Sequence, residues 1–370
     1  MFENRQECCG EESSASSPCC PSRTPETILT DDEFLLNSIV SLPKFQQIST
    51  KLTRKDRIGS WKARWGINRM NFKVSPGLYR VGEADKMSPV LVTANYKMSF
   101  DVLRTELSGL NAWILVLDTK GINVWCAAGK GTFGTDELVR RLKIVNLARI
   151  VSHKNIILPQ LSASGVSAYE VQRRSGFKVT FGPVRAKDIK EFLQAGMRAT
   201  PAMRKVRFNL IDRLVLTPME LVGTFKVSLM IFGVLFILNL LKIGSFGTVD
   251  FYGYIGALLT GCFIVPVLLP WIPGNAFAWK GWFMGIIWAA SVNIINGWPT
   301  APSYGLLRAI SYMLILPAVS AFYAMNFTGS STYTSFSGVL KEMKTAVPAI
   351  AASTALGTVL LLLSVIIPKV

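Results

Sequence analysis

The chain contains a single histidine, and its second half contains almost no acidic residues. Of the 40 Lys and Arg and the 23 Asp and Glu, residues 221–370 hold only seven and two, respectively. The other 33 basic and 21 acidic residues lie in residues 1–220, which therefore carry a net charge of +12. So little charge in the second half excludes an ordinary soluble fold there. It predicts two domains, a charged one in water and a nearly uncharged one in an apolar environment.

The first 30 residues also lack the apolar run, roughly 7–15 residues long, that a secretory signal requires. Their composition, rich in Ser, Pro and Cys, predicts that residues 1–45 are a disordered tail. The N-terminal half is therefore expected to stay in the cytoplasm. Six cysteines in a cytoplasmic chain favour thiol or metal chemistry over a disulfide framework.

Residues 221–370 contain five apolar segments, each near the ~20 residues that a helix needs to cross a bilayer. They predict an all-α transmembrane domain with five helices, and hence a multi-pass protein of the inner membrane that contacts the lipid bilayer. Clustered Lys and Arg before the first span, including a basic linker at 206–220, predict a cytoplasmic N-terminal domain. The predicted spans are residues 221–243, 250–272, 276–296, 304–325 and 346–368.

Transporters usually carry ionisable residues at mid-membrane. Here Lys226, Lys242, Asp250 and Arg308 lie near predicted helix ends, where their side chains are expected to snorkel toward water. This pattern favours an anchor, or a surface for partners, over a transporter. Cys262 lies in the middle of a predicted span and is expected to pack against neighbouring helices.

Residues 46–205 alternate short apolar runs with amphipathic stretches, which predicts an α/β domain with a mostly parallel, Rossmann-like sheet. Thr135 is expected to cap one helix, and Ser167 with Glu170 to form a capping box on the next. Ligands of such sheets bind beyond the carboxyl ends of the strands, so loops 127–134, 160–166 and 182–186 should border one crevice. The predicted strands are 89–94, 113–118, 122–126, 155–160 and 177–182, and the predicted helices 98–107, 135–147, 165–174 and 186–197.

The segment Asn-Val-Trp-Cys-Ala-Ala-Gly-Lys-Gly, residues 123–131, carries the most informative pattern. It is expected to place Cys126 at the end of a buried strand, facing the crevice. The small residues after Cys126 would let a large flat ligand approach the backbone closely.

Two other interpretations of this segment stay open on the residues alone. Gly129, Gly131 and Gly134 satisfy G-x-G-x-x-G, but the next strand ends in Leu-Pro-Gln without the acidic residue of a dinucleotide site. A Walker A loop also fails, because Gly131 follows Lys130 where Ser or Thr is needed. The structural interpretation is that Cys126 is simply a small buried hydrophobic residue.

The motif NVWCAAGKG resembles the signature of the HgcA family, the corrinoid proteins of microbial mercury methylation. That family is itself similar to the corrinoid-binding subunit of the corrinoid iron–sulfur protein of the acetyl-CoA pathway. The resemblance extends over roughly residues 70–370. It includes PVLVTANYKMSFDVLR, ILPQLSASGVSAYEVQRRSGFKVTFGPVRAKDI, and MNFTGSSTYTS (325–335) before the last span.

By this resemblance, Cys126 would be the lower axial ligand of cobalt in a cobalamin-type corrinoid, and the catalytic residue. The chain would be a methyltransferase that passes a methyl group from the Cys-ligated methylcobalt corrinoid to inorganic Hg(II), giving methylmercury. A thiolate is a soft, strongly donating ligand, which suits delivery of a carbanion equivalent or a radical to an electrophile. The resemblance also implies corrinoid contacts from Thr93, Asn123, Val124, Trp125, Cys126, Ala127, Ala128, Gly129, Lys130, Gly131, Gln160, Leu161, Gly165, Val166 and Ala186.

The same resemblance implies two protein partners: an HgcB-like 4Fe-4S ferredoxin as reductant and a methyltetrahydrofolate-dependent enzyme as methyl donor. The chain has no C-x-x-C-x-x-C cluster motif of its own. His153, outside the motif, is expected to be a surface or packing residue. The basic run at 52–69 is interpreted as a solvated or membrane-surface face, with no nucleic-acid partner.

Two functions of other kinds remain as alternatives. The chain could be a membrane transporter or sensor whose cytoplasmic domain binds a nucleotide. It could also be a corrinoid methyl carrier for an acceptor other than mercury.

Overall fold

The computed structural model describes residues 45–243, 246–300, 304–330 and 336–366. The predicted tail, with its four cysteines, and residues 331–335 of the MNFTGSSTYTS segment lie outside the described residues. All described residues belong to one unit, Lys44–Val370.

A six-stranded sheet in the order β1-β2-β4-β3-β5-β6 organises the first half. Every neighbouring pair of strands is parallel except β2 and β4, which are antiparallel. The mostly parallel α/β sheet predicted from the sequence is thus confirmed. The strands are β1 (Phe45–Ile48), β2 (Gly77–Val81), β3 (Val90–Ala94), β4 (Ala112–Leu117), β5 (Asn155–Leu158) and β6 (Lys178–Phe181).

Helices cover both faces of this sheet, which is why every residue of β3 and β4 is buried and neither strand alternates apolar with polar residues. One face packs on Phe133, Leu138 and Val171, and the other on Phe100 and Phe192. The helices are α1 (Arg54–Arg64), α2 (Lys97–Glu106), α3 (Val124–Gly129), α4 (Thr135–Ile144), α5 (Leu147–Ile150), α6 (Ala168–Ser175) and α7 (Ile189–Gln194).

Several local predictions were wrong. Residues 122–126 are not a strand: the chain leaves β4 at Leu117, turns, and enters α3 at Val124. The β-branched and aromatic residues of that run favour a strand locally, but the Asn123 side chain caps a helix instead. Strands β1 and β2 were not predicted.

Two caps also differ from expectation. Gly134, not Thr135, occupies the N-cap of α4, and the Thr135 hydroxyl instead accepts a hydrogen bond from the backbone N–H of Ser167 at 3.0 Å. Ser167 does cap α6 by accepting from the backbone N–H of Glu170. The Glu170 carboxylate pairs with Arg173, so only half of the capping box forms.

The second half is helical where the structure describes it, and four of the described helices are long and apolar enough to cross a membrane: Leu210–Leu240, Thr248–Leu268, Leu306–Asn326 and Ser337–Ser364. The helix that matches the third predicted span, Phe277–Ile295, is not among these four. Its apolar sequence is interrupted by the buried polar residues Lys280 and Asn293. The helices are α8 (Leu210–Leu214), α9 (Thr217–Leu240), α10 (Thr248–Leu259), α11 (Val265–Leu268), α12 (Phe277–Ile295), α13 (Leu306–Asn326) and α14 (Phe336–Ile366), with a π-helical turn, Thr260–Ile264, joining α10 to α11.

The predicted snorkelling of Asp250 and Arg308 is wrong. Asp250 is buried, its Oδ2 lies 2.6 Å from Nη2 of Arg308, and its Oδ1 accepts a 2.6 Å hydrogen bond from the Tyr312 hydroxyl. The two charges lie in the first turns of α10 and α13 and neutralise each other there. Cys262 is buried within the π-helical turn, as expected for a packing residue.

Candidate functional site

A crevice of about 430 Å³ opens beyond the carboxyl ends of β3, β5 and β6. The connection that follows β3 packs α2 on one face of the sheet, whereas the connection after β5 packs α6 on the other. The crevice therefore lies at the switch point of the sheet, where α/β folds bind their ligands. Its wall is mostly apolar, with Leu91, Leu103 and Ile157 at its base.

Helix α3 forms one edge of this crevice. Asn123, at its N-cap, accepts a 2.9 Å hydrogen bond from the backbone N–H of Cys126, which fixes the first turn. Asn123, Val124 and Trp125 line the crevice. The prediction that Cys126 faces the crevice was wrong, because Cys126 lies on the exposed side of the turn and does not line the wall. Trp125 is 39% exposed. An accessible thiol thus stands beside an exposed aromatic ring at the edge of the crevice.

The loop between β4 and α3 is held by a buried asparagine that the sequence analysis did not identify. Asn95 Oδ1 accepts hydrogen bonds from the backbone N–H groups of Thr119 and Gly121 and from the Thr119 hydroxyl. Its Nδ2 donates to Asp118 at 3.2 Å. The loop that presents α3 is therefore tied to the end of β3.

Glu137 of α4 supports the same loop by accepting a 2.9 Å hydrogen bond from the backbone N–H of Asp118. Burial raises the pKa of Glu137, but this hydrogen bond and those from Arg141 and Arg140 outweigh it and leave the pKa below its ordinary value. Glu137 is therefore ionised at neutral pH, and its carboxylate supports the loop between β4 and α3. Polar residues directly after a strand, or one turn into a helix, are the signal that could have identified Asn95 and Glu137.

The structure distributes the predicted site residues over three environments. The crevice wall holds Thr93, Asn123, Val124, Trp125, Leu161 and Ala186. The exposed rim around the thiol holds Cys126, Gly129, Lys130 and Gly131, and a Cβ placed on either glycine would meet no atom within 4 Å. Ala127, Ala128 and Val166 are buried in the core.

The remaining two predicted residues lie between these environments. Gln160 is half-buried, and its Oε1 atom is buried without a hydrogen-bond partner among the described residues. A Cβ on Gly165 would collide with the carbonyl oxygen of Phe133 and lie 3.0 Å from the Cα of Ala128. Gly165 therefore permits close packing beneath α3.

The prediction that loop 127–134 borders the crevice was wrong. This loop folds away from the crevice onto Gly165 and buries Phe133 completely, so the crevice is bordered by residues 123–125 instead. The other two loops contribute Leu161 and the segment Gly182–Val184 with Ala186. The G-x-G-x-x-G sequence accordingly lies outside the crevice wall.

Residues far away in the sequence complete the crevice. Arg64, Arg69 and Tyr96 line one end, and Val215, Leu216 and Met219 approach from the start of the helical half. Arg69 Nη1 lies 3.0 Å from the Met219 sulfur. The basic run at 52–69, interpreted above as a solvated or membrane-surface face, thus supplies part of the crevice.

Helix α1, which ends at Arg64, is anchored to α2 by a cluster of charges. Asp56 lies 2.6 Å from Lys97 Nζ and 2.9 Å from Arg104 Nη2. Burial raises the pKa of Asp56, but hydrogen bonds from Lys97 and Thr53 and the Lys97 charge hold the pKa well below its usual range. His153 is half-buried, with Nε2 2.9 Å from the Ser88 carbonyl oxygen, as expected for a packing residue.

Comparison with known proteins gives one family for the segment that carries this site. Residues 67–193 match the family model of the CO dehydrogenase/acetyl-CoA synthase delta subunit. The match begins before β2, ends in α7 and includes α3 with Cys126. It supports a relationship to the corrinoid proteins of acetyl-CoA metabolism.

Individual relatives agree with this match. The acetyl-CoA decarbonylase/synthase complex subunit gamma of Methanopyrus kandleri is 29% identical over 124 residues, which are 33% of this chain and 26% of the relative. Subunit gamma 2 of Methanosarcina thermophila is 32% identical over 115 residues, 30% of this chain and 24% of the relative. The corrinoid/iron-sulfur protein large subunit of Moorella thermoacetica is 28% identical over 127 residues, 34% of this chain and 28% of the relative.

These relatives share only part of their length with the chain. The matched segment spans about a quarter of each relative, and the helices from Leu210 onward lie beyond the matched 67–193 segment.

Proposed function

We propose that this chain is a membrane-anchored corrinoid methyltransferase that uses Cys126 as the lower ligand of cobalt and mercury(II) as methyl acceptor. The observation that carries the proposal is the accessible Cys126 thiol on α3, beside a crevice at the switch point of the sheet. It lies inside the segment related to corrinoid proteins. The sequence NVWCAAGKG, with its resemblance to the mercury-methylating family, supports the choice of acceptor.

The residues around Cys126 fit a large flat cofactor with an axial sulfur ligand. The space outside Gly129 and Gly131 is open, so a macrocycle could approach the backbone there. The buried Gln160 Oε1, which lacks a partner among the described residues, could accept a hydrogen bond from a cofactor amide. The partly exposed Trp125 ring offers an apolar surface beside the thiol.

When bound, a corrinoid would supply a cobalt atom that carries a methyl group and gives it up as a carbanion equivalent to an electrophile such as Hg(II). Cys126 would donate sulfur electron density to that metal as a soft thiolate. Asn123 holds the turn of α3 through the Cys126 backbone N–H and so fixes the direction of the thiol. Asn95 and Glu137 hold the loop before it, as outer residues around metal ligands commonly do.

The proposal also requires partners. The chain lacks a cluster motif of its own, so an HgcB-like 4Fe-4S ferredoxin would supply electrons, and a methyltetrahydrofolate-dependent enzyme would supply methyl groups. The helices long enough to cross a membrane would anchor the protein in the inner membrane with the α/β domain in the cytoplasm.

A second candidate is a methyl carrier for another acceptor, which the names of the relatives favour, since they are subunits of acetyl-CoA complexes. The deciding experiment uses the full chain in detergent, loaded anaerobically with methylated corrinoid, and follows methyl transfer to Hg(II). Cys126→Ala is compared with Cys262→Ala, a matched change at a buried cysteine remote from the crevice. We expect methylmercury from the native chain and Cys262→Ala only. Corrinoid retention without any methylmercury would refute mercury as acceptor and leave the carrier.

A further inference from the structure

Part of the crevice wall carries positive charge. Arg64 is the last residue of α1, Arg69 lies in the 3₁₀ turn Arg69–Asn71, and both line the crevice together with Tyr96. Neither arginine forms an ion pair with a described residue, and none of the described residues in the crevice wall is acidic. The Arg69 guanidinium lies 5.3 Å from the centre of the Tyr96 ring. Two arginines without a carboxylate are suited to bind a planar or tetrahedral anion.

A buried hydroxyl points to a ligand at the same part of the wall. Tyr96 is only 4% exposed, and its hydroxyl has no hydrogen-bond partner among the described residues. A buried hydroxyl without a partner destabilises the fold, so its presence points to a ligand that supplies the partner. Burial raises the pKa of Tyr96, and the charges of Arg69 and Arg64 oppose the shift without cancelling it. The hydroxyl therefore stays protonated at neutral pH and can donate to an anion.

The rest of the crevice is apolar and of nucleotide size. Its volume of about 430 Å³ lies within the usual range for small-molecule sites. Leu91, Leu103, Ile157 and Ile189 line the floor, and Leu216 approaches from the helical half. An aromatic base could be buried there while its phosphate reaches the arginines.

We propose that this crevice binds a nucleotide moiety, with the base on the apolar floor and the phosphate at Arg64, Arg69 and the Tyr96 hydroxyl. The molecule that carries this nucleotide is inferred from the proposed function. A corrinoid whose lower ligand is Cys126 has its own nucleotide tail displaced from cobalt, and that tail would be free to enter the crevice. Trp125 lines the crevice and is adjacent to Cys126, so one cofactor could span both. A free mononucleotide has the same chemistry and is the alternative source.

The glycine-rich loop is not the phosphate site in this arrangement. Gly134 and Gly165 approach backbone atoms of the loop closely, and residues 127–134 do not line the crevice. Of the corrinoid contacts expected at Gln160, Leu161, Gly165 and Val166, only Leu161 lines the crevice, and Val166 is buried in the core.

The test is a set of anaerobic equilibrium titrations of the full chain in detergent, followed by absorbance and calorimetry. The probes are cobalamin, cobinamide, which is the corrinoid without its nucleotide tail, and adenosine monophosphate. The variants are Arg64→Gln/Arg69→Gln and the conservative Tyr96→Phe. Arg57→Gln, an exposed change on the same helix outside this crevice, is the matched control.

We expect the double variant to weaken cobalamin binding by about tenfold to a hundredfold, since two charge-assisted contacts are lost. Tyr96→Phe should weaken it by roughly tenfold or less through one hydrogen bond. Cobinamide affinity should stay within about twofold in every variant, and Arg57→Gln should match the native chain.

Equal losses for cobalamin and cobinamide, or no loss for either, would overturn the assignment. Adenosine monophosphate that binds to the crevice without competing with cobalamin would overturn the corrinoid tail as the source and leave a free mononucleotide as the ligand. If the native chain binds neither corrinoid, the proposed function fails. Loss of adenosine monophosphate binding in the double variant would then still support a nucleotide site.

Discussion

The α/β half and the helical half differ in how their buried polar side chains are partnered. In the helical half, Asp250 pairs with Arg308, and the buried Lys280 donates to the carbonyl oxygen of Leu269 at 2.5 Å. The Asn293 amide likewise donates to the Ala309 carbonyl oxygen. In the α/β half, the Tyr96 hydroxyl and Gln160 Oε1 are buried without partners among the described residues, and Cys126 is accessible. The helical half has one such atom among its described residues, the Ser320 hydroxyl oxygen, which does not line the crevice.

This difference distinguishes polar groups that stabilise the fold from polar groups that are available to a ligand. Charged and amide groups that pair with one another inside an apolar bundle hold helices together, and the paired groups are not free to bind a ligand. Polar groups without partners beside a crevice cost stability and are expected where a ligand supplies the partner. The contrast assigns the binding chemistry to the α/β half and a mainly structural role to the charges of the helical half.

The largest effect is expected when the Asp250–Arg308 ion pair of the helical half is broken. Asp250→Leu should destabilise the chain by about 4 kcal/mol, because it leaves the Arg308 charge uncompensated in an apolar setting. The thermal unfolding midpoint of the full chain in detergent measures this loss. Corrinoid affinity of the folded fraction should not change.

The double variant Asp250→Leu/Arg308→Met tests whether the two charges are coupled. Removing both charges should lower the stability less than removing Asp250 alone. Lys226→Met, at an exposed position on α9, serves as the control for a lost charge alone. A loss of stability in the double variant equal to the sum of the losses in Asp250→Leu and Arg308→Met would contradict a coupled pair.

In the α/β half, Asn95→Ala should cost about 3 kcal/mol, because backbone N–H groups of the loop at 119–121 lose their buried acceptor. Unlike Asp250→Leu, it should also lower the affinity for corrinoid, since α3 is displaced with its loop. Chemical denaturation and cobalamin titration on the same preparation measure both quantities. Reduced stability with unchanged affinity would mean that the loop does not position the thiol.

Gly165→Ala should cost about 2 kcal/mol, the typical price of overpacking, because the new methyl group meets Phe133 and Ala128 backbone atoms. Gly129→Ala is the matched control for stability, since its Cβ meets no atom within 4 Å. Equal unfolding midpoints for the two variants would show that the packing beneath α3 is looser than the structure indicates.

The smallest effect concerns pH. Because the folded-state pKa of Asp56 lies below its unfolded value of about 3.9, its contribution is present above that value and is lost as pH falls through the folded pKa. The native chain should therefore be about 1 kcal/mol more stable than Asp56→Asn near neutral pH. The gap in thermal midpoints should shrink from about pH 4 downward. A gap that stays constant to low pH would exclude the Asp56 carboxylate as its source.

Local sequence patterns predicted most of the α/β order because apolar runs, turns and amphipathic helices are local properties. Strands β3 to β6 and helices α2, α4 and α6 lie close to their predicted positions. Residues 122–126 misled the prediction because a short run of β-branched and aromatic residues suits a strand or a buried helix equally. Strands β1 and β2, of four and five residues, give too short a signal without knowledge of their partners.

The composition of the crevice could not be predicted for a different reason. Arg64, Arg69 and Met219 reach it from distant parts of the chain, and no local period encodes that approach. The Asp250–Arg308 pair is likewise 58 positions apart in sequence. Cys126 could be singled out because a short, distinctive motif surrounds it, whereas Tyr96 looks like any aromatic residue after a strand.

The most direct test of the central claim is X-ray absorption at the cobalt edge of full chain loaded anaerobically with cobalamin, for the native protein, Cys126→Ala and Cys262→Ala. The account predicts a sulfur neighbour of cobalt in the native protein and in Cys262→Ala, and its loss in Cys126→Ala. A native spectrum with only nitrogen and oxygen around cobalt, or an unchanged sulfur signal in Cys126→Ala, would contradict the assignment of Cys126 as the axial ligand.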